Sequence, residues 1–386
     1  MASPGWYTTC MSGVPHPAPV GPESIARRLH GWTAGPVPGP MTMELYPTLQ
    51  CNLNCSFCDT TDRHRPPVNE LSKEALLGLV DEAAALGVRR VFVLGGGEPL
   101  ARKDAAPALL RRIKERRMEG ILATNGTLLG ADLAHQLIDT GWDEVHVSID
   151  APDAATHDLL RGQAGAFRRT VRNTCRLSQL RVRRGLSSPK IALHFVLTRL
   201  NWRTLPGMID LAVALGAFRV DFDALIAYTP EQQALQLSPA ERAAVPDVAR
   251  RAIENADKHG IITTLDHFLH PERLDRGNTR IEIPEEPGLQ GAPCLKAWHY
   301  LVIQADGRSS PCCVLAGEGG QVQGQGLAGL WRDDPFLNAV RQGMLDKTPL
   351  ARCRECTWNI LAHEADVRGE LAQLQSPGVH TTHPGT

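Results

Sequence analysis

Leu49-Gln50-Cys51-Asn52-Leu53-Asn54-Cys55-Ser56-Phe57-Cys58-Asp59 sets three cysteines in a C-x3-C-x2-C spacing on one short loop. Three thiolates are one short of a closed set, because cubane iron–sulfur clusters and structural zinc both normally take four protein ligands. A loop offering three leaves one metal position open to an exogenous ligand, and an open position is where chemistry takes place. The plainer alternatives are a zinc loop that borrows a distant fourth ligand, or chance among the ten cysteines of the chain.

Outward from the loop, the segment at about 42–49 reads as a strand, and beyond it β- and α-type segments alternate. A helix at about 72–86, capped by Ser72, precedes an apolar strand at 90–94. Helices at 104–118, 131–140, 166–184 and 202–215 precede strands at 121–124, 143–150, 191–198 and 218–227. Six strands alternating with helices predict parallel β/α units with right-handed crossovers. An open doubly wound sheet and a partial barrel both satisfy that count, and both put their ligand sites at the C-terminal ends of the strands.

The 386 residues suffice for a barrel-sized domain and a smaller unit. With 41 basic and 42 acidic residues there is no global field to draw the chain to nucleic acid or membrane. No apolar run approaches the ~18–20 residues of a spanning helix. The N-terminus lacks a secretory pattern. The cysteines group as 51/55/58, 312/313 and 353/356, with Cys10, Cys175 and Cys294 apart. Close pairs without a signal read as metal ligands rather than disulfides, and place the chain in a reducing cytoplasm. Residues 1–40 are rich in Pro and Gly and read as an unpacked arm. Residues 41–270, ending in a helix at about 238–259, form the barrel unit, and the Pro/Glu/Gly-rich stretch 271–292 reads as a linker. Residues 293–386 form a small α+β unit with a hairpin at 299–314 and helices at about 335–345 and 359–374.

Alternation along the fourth strand turns Val145, Val147 and Ile149 one way and Glu144, His146, Ser148 and Asp150 the other. An inward polar face on a buried parallel strand is costly unless it lines a site. The same alternation puts His194 and Thr198 on the polar face of the fifth strand, and Asp221 and Asp223 on that of the sixth. Gly95-Gly96-Gly97-Glu98-Pro99 follows the second strand, where glycines let the backbone approach a ligand and Glu98 offers an acceptor for an ammonium group.

Residues 42–227 resemble a radical S-adenosylmethionine (radical SAM) partial barrel. The resemblance rests on the C-x3-C-x2-C loop, Gly96–Pro99, Thr124-Asn125-Gly126 and Ser148-Ile149-Asp150. It implies an α/β fold, a partial (β/α)6 barrel of the TIM type. It implies that Cys51, Cys55 and Cys58 hold a [4Fe–4S] cluster whose open iron binds SAM. It further implies that Gly96, Gly97 and Glu98 face the SAM amino group, Ser148 and Asp150 its ribose or carboxylate, and Phe57 its adenine. Arg161 is a candidate for the SAM carboxylate, with a solvated surface arginine as the alternative.

Cys294, Gly307 and Cys312 follow a C-x12-G-x4-C pattern, and Cys353-x2-Cys356 comes later. Four cysteines complete a closed [4Fe–4S] or zinc set, and Asp306-Gly307 reads as the hairpin turn that delivers Cys312. The spacing resembles the twitch domain, the shortened SPASM domain, which implies an auxiliary [4Fe–4S] cluster. Cys313 is an alternative ligand or a hydrogen-atom donor, and otherwise a packed neighbour. The resemblance predicts an oxidoreductase that cleaves SAM to a 5′-deoxyadenosyl radical and abstracts hydrogen from a small polar metabolite of the aminocyclitol type, the auxiliary cluster accepting an electron. Asp221, Asp223 and His194 are the candidate bases. The alternatives are a maturase of a ribosomally made peptide and a non-catalytic iron–sulfur or zinc scaffold. The arginines of the 166–184 helix read as a solvated face, or as a dock for an acidic electron donor such as a flavodoxin or ferredoxin.

Overall fold

Val91 and Val93, Val145 and Val147, Ile191 and Leu193, Val220 and Phe222 all turn to one side of the sheet, where helices bury them in a single core. That alternation is the reason these segments form strands with a covered outer face. The computed structural model describes residues 7–8, 15–16, 25–34, 37–58, 69–227, 229–274, 285–355 and 367–374.

The main sheet contains β1 (Thr42–Leu45), β2 (Arg90–Val93), β3 (Glu119–Thr124), β4 (Glu144–Ser148), β5 (Lys190–Leu197), β6 (Arg219–Ala224), β7 (Ile262–Thr263), β8 (Tyr300–Ile303) and β9 (Ser309–Ser310). Their spatial order is β9-β8-β1-β2-β3-β4-β5-β6-β7. Every neighbouring pair is parallel except the β8–β9 hairpin. The sheet has two edges and does not close, so the architecture is a partial α/β barrel.

The helices are α1 (Ile25–Ala34), α2 (Lys73–Ala85), α3 (Ala106–Glu115), α4 (Ala131–Asp139), α5 (Ala154–Arg161), α6 (Ala166–Arg183), α7 (Leu205–Leu215), α8 (Pro239–His259), α9 (Gly326–Asp333) and α10 (Pro335–Leu345). Local chemistry sets their ends. Ser72 caps α2 by accepting from the Ala75 N–H, and Ser238 and Glu241 form a reciprocal capping box on α8. Close packing also selects Gly120, since a Cβ there would lie 2.4 Å from the ring of the fully buried Trp142.

Two expectations change. The arm at 1–40 is packed in part: Ile25, Ala26 and Leu29 of α1 are buried with Leu295, Trp298, Met344 and Leu371. An amphipathic helix lies hidden between Pro/Gly-rich flanks. The C-terminal unit is not set apart by a linker, because its strand β8 pairs in parallel with β1, Tyr300 opposite Thr42 and Ile303 opposite Leu45. Tyr300 donates its hydroxyl proton to the buried Glu44 carboxylate at 2.5 Å, and Tyr46 does so at 2.7 Å. Of the helix expected at 359–374, residues 367–374 are helical and the rest lies outside the described residues, as does the linker stretch 275–284.

Candidate active site

All of β1–β6 run the same way, so the loops that follow them gather at one end of the sheet. Cys51, Cys55 and Cys58 sit there half-buried, and none is in a disulfide. The loop is tied down by its own backbone: Asn54 N–H donates to Arg161 O (3.1 Å) and Ser56 N–H to Leu160 O (2.8 Å). Gly162 allows this approach. It has φ +62°, and a Cβ there would meet Asn54 O at 2.0 Å. Asn52 and Asn125 brace the other side, Asn125 Nδ2 donating to Asn52 Oδ1 (3.0 Å) and lying 4.0 Å from Cys51 Sγ. Leu53 N–H donates to Cys51 Sγ at 3.4 Å.

Burial pushes the Cys51 thiol up to about 11, and the nearby Glu98, Cys55 and Cys58 charges add to it. Three thiols held together in this way ionise when a metal cation supplies the compensating charge. Among the described residues no three His, Cys, Asp or Glu side chains converge on one point as a single metal ion would need. A loop of separated thiols flanked by N–H donors suits a cluster, whose sulfurs accept hydrogen bonds.

The glycine loop lies against the cysteine loop. Glu98 N–H donates to Gln50 O (2.7 Å), and a Cβ on Gly97 would meet Gln50 O at 2.1 Å. Gly96 is half-buried beside it. Glu98 departs from the expectation. Its carboxylate is buried and accepts from Leu100 N–H (3.1 Å), Thr124 Oγ1 (2.7 Å) and Asn125 N–H (2.7 Å). Desolvation raises its pKa against those three donors. Glu98 therefore ties the second loop to the third, and an ammonium group here would face the backbone of Gly96 and Gly97 instead.

Asp150 and Arg161 form a buried ion pair at 2.5 Å. Asp150 Oδ1 also accepts from Val196 N–H (3.0 Å), and the Asp150 N–H donates to His157 Nδ1 (3.2 Å). The Asp150 carboxylate is thus taken up by protein donors, Arg161 and the Val196 N–H. Arg161 is 7 % exposed, not solvated. Its Nη1 donates toward Cys55 Sγ at 3.7 Å, and its guanidinium lies 5.4 Å from the centre of the Phe57 ring. Ser148 is half-buried on the ladder opposite His194.

On the inner face of β4–β6, His194 Nε2 lies 2.8 Å from Asp223 Oδ2. Ladder pairing sets His194 opposite Asp221. Below them Arg219 Nε donates to Asp221 Oδ2 (3.0 Å), Arg219 Nη2 reaches His146 Nε2 (3.2 Å), and His146 meets Glu144 Oε2 (3.0 Å). Desolvation pushes Asp221 up to about 7, with Arg219 and His194 opposing. Desolvation is the largest influence on His194 and lowers its pKa, but the bond to Asp223 and the charges of Asp223, Asp221 and Asp150 together leave it raised. His146 falls to about 4, because desolvation, with the Arg219 charge added, outweighs its bond to Glu144. Asp221 Oδ1 has no hydrogen-bond partner among the described residues. Thr198 accepts no ligand role: its hydroxyl donates to Asn201 Oδ1 at 3.0 Å. The sequence reading missed Arg219, which the same alternation as Asp221 and Asp223 signals, and Asn125, which lay within a quoted motif.

Three of the later cysteines share one hydrophobic cluster. Cys353 is buried, with Cys294 and Cys312 packed against the same cluster of Trp298, Leu315 and Met344. Gly307 makes the β8–β9 turn at φ +85°. Cys313 opens a short 3-10 segment that touches the one carrying Cys353. Cys356 lies outside the described residues.

The Radical SAM superfamily model matches residues 45–212, and the SPASM iron–sulfur cluster-binding model matches residues 294–357. The chain carries a radical SAM domain and a SPASM domain. These domains imply a SAM-binding [4Fe–4S] cluster, SAM and auxiliary iron–sulfur ligation. The chain is 27% identical over 297 residues to the AdoMet-dependent heme synthase of Methanosarcina barkeri, covering 76% of this chain and 82% of that one. It is 26% identical over 340 residues to the PqqA peptide cyclase of Granulibacter bethesdensis, covering 83% and 81%. Streptococcus suis SuiB bound to its precursor peptide SuiA superposes with a TM-score of 0.61 at 18% identity, over 84% of this chain and 70% of that one. That likeness shows the fold. No helix among the described residues is long and apolar enough to cross a membrane.

Proposed function

We propose that this chain is a radical SAM maturase of a ribosomally made peptide. The observation that carries this reading is the similarity to PqqA peptide cyclases over 83% of the chain, spanning both domains. The polar lining of the mouth, with Ser148, His194 and Asp223, suits the amides and side chains of a peptide. The aminocyclitol oxidoreductase expected from the sequence is the weaker reading, because the relatives over most of the chain are peptide cyclases and heme synthases.

In this reading Cys51, Cys55 and Cys58 hold the SAM cluster. Gly96 and Gly97 present backbone to the SAM amino group, Arg161 meets its carboxylate, and Ser148 and Phe57 border its ribose and adenine. Cys294, Cys312, Cys353 and Cys356 hold one auxiliary cluster of the twitch type, a reading supported by the C-x12-G-x4-C and C-x2-C spacing. When bound, these groups supply hydrogen-atom abstraction from the peptide and an electron sink. The chain's own residues handle the proton. His194, bonded to Asp223, and Asp221, whose buried Oδ1 has no hydrogen-bond partner among the described residues, are the groups placed to accept the proton that leaves the substrate.

The test uses anaerobically reconstituted protein with SAM and reductant. Wild type releases 5′-deoxyadenosine and Cys55→Ala does not. Candidate precursor peptides change mass, while Fe-coproporphyrin III and aminocyclitols are returned unaltered. Turnover of the porphyrin in place of every peptide would overturn the proposal.

A further inference from the structure

α6 (Ala166–Arg183) contains Arg168, Arg169, Arg172, Arg176, Arg181 and Arg183 and no acidic residue. Two basic groups at its C-terminal end are accounted for. Arg181 donates to Pro189 O (3.1 Å) and Gly216 O (2.8 Å), and Arg184 lies 3.5 Å from Asp139. Arg168 and Arg172 are exposed and Arg169 and Arg176 half-buried, and none of the four has an acidic partner among the described residues.

Several other basic side chains of the molecule are paired with carboxylates. Arg112 and Arg116 of α3 both pair with Asp81 at 2.7 Å, Arg250 of α8 pairs with Asp247 at 2.8 Å, and Arg102 pairs with Asp104 at 3.1 Å. On α6, Arg168 and Arg172, and again Arg172 and Arg176, are like charges four residues apart. Each such pair opposes the helix by about 0.2–0.5 kcal/mol. Arg168 and Arg169 also stand in the first turn, where the helix dipole disfavours cations.

The opposite face of α6 leads to the cysteine loop. Thr170 Oγ1 donates to Asn125 O (2.8 Å), and Asn173 Nδ2 donates to Gly126 O (2.9 Å) and Thr127 O (3.1 Å). Asn125 is the residue that reaches Asn52 and Cys51. At the N-terminus, Asp158 of α5 accepts from Gly165 N–H (2.6 Å) and Phe167 N–H (2.8 Å), and α5 ends on the same cysteine loop. One helix thickness, about 10–12 Å, and one loop separate the basic face from Cys51.

We propose that the outer face of α6, formed by Arg168, Arg169, Arg172 and Arg176, docks a small acidic one-electron carrier that reduces the cluster held by Cys51, Cys55 and Cys58. The inference rests on the radical SAM reading of that loop. The carrier is oxidised by one electron and the cluster reduced by one, with no covalent bond made or broken between the proteins. Complementary charge steers the encounter, so its rate falls steeply with salt.

The experiment follows bleaching of the cluster absorbance in anaerobic full-length holoprotein. Reduced flavodoxin is the acidic donor and photoreduced deazaflavin the uncharged one. The double substitution Arg168→Glu/Arg172→Glu is expected to slow reduction by flavodoxin at least tenfold at low salt and abolish its salt dependence, leaving the deazaflavin rate intact. Arg168→Lys/Arg172→Lys should keep the flavodoxin rate within about twofold. An unchanged flavodoxin rate in the reversal variant overturns the docking surface. Equal slowing with both reductants also overturns it, by marking a structural role. So does a preserved flavodoxin rate with a raised KM for the peptide, which would assign the face to substrate. A wild type that shows the same absorbance as Cys55→Ala instead refutes the cluster reading itself.

Discussion

The Asp150–Arg161 pair gives a sharp physical test that needs no cofactor. Both side chains are buried, and the pair closes at 2.5 Å between the end of β4 and the end of α5. Asp150→Asn keeps an oxygen for the Val196 N–H but sets an amide against the guanidinium, which then lies buried without its counter-charge. Breaking a buried pair from one side costs about 3–5 kcal/mol. Arg161→Met strands the carboxylate and costs a similar amount. Removing both leaves two neutral side chains, so the double variant should be at least ~2 kcal/mol more stable than the sum of the single losses predicts. Against a total stability of about 5–15 kcal/mol, the single variants remain folded with clearly lowered urea midpoints. The assay is urea unfolding of the apoprotein followed by tryptophan fluorescence and circular dichroism, with m-values compared across the four proteins. A loss below about 1 kcal/mol for Asp150→Asn, or single losses that add to the double within ~0.5 kcal/mol, would refute the reasoning.

Gly97→Ala should abolish 5′-deoxyadenosine release while circular dichroism stays unchanged, because its Cβ would collide with the Gln50 carbonyl at 2.1 Å and force the cysteine loop to move. Asp221, faced by Arg219, His194 and Asp223, carries a folded pKa of about 7 against an ordinary 3.8. The native chain therefore keeps a proton that the unfolded chain releases, and stability falls as pH rises from about 4 to 7; Asp221→Asn should flatten that slope in urea titrations. His194, with its raised pKa, contributes stability below about 6.5 that is lost as pH rises further, and His194→Gln should remove that later loss. Ser72→Ala should lower the stability of the apoprotein by about 1 kcal/mol, since it removes the acceptor for the Ala75 N–H at the start of α2.

Period-two alternation made much of this site legible. It placed His194, Asp221 and Asp223 inward before any coordinates, because a strand leaves a side chain only two directions. It could equally have flagged Arg219, which continues the row. Loops gave less. Glu98 follows a glycine run, and nothing in its spacing says that Thr124 and Asn125, after the third strand, would supply two of the three donors its carboxylate takes up. Arg161 was ambiguous because the contact that sets it at the cysteine loop is distant in sequence: Cys55 is 106 residues away. The helix at Ile25–Ala34 was hidden because its buried residues meet partners near 289–298 and 340–371, and local composition carries no trace of them. The β1–β8 pairing is beyond local reading for the same reason.

That pairing has a consequence for synthesis. β1 is among the earliest strands to leave the ribosome, but one of its two neighbours is encoded 256 residues later, as the Glu44–Tyr300 contact measures. At ~5–20 residues per second, β1 presents an open backbone edge, and Glu44 lacks one of its two tyrosine donors, for roughly 13–50 s of translation. Until the ribosome has passed Ile303, the cysteine loop hangs from a strand supported on one side alone. Completion of the oxygen-sensitive half of the molecule is thereby timed by the making of its tail.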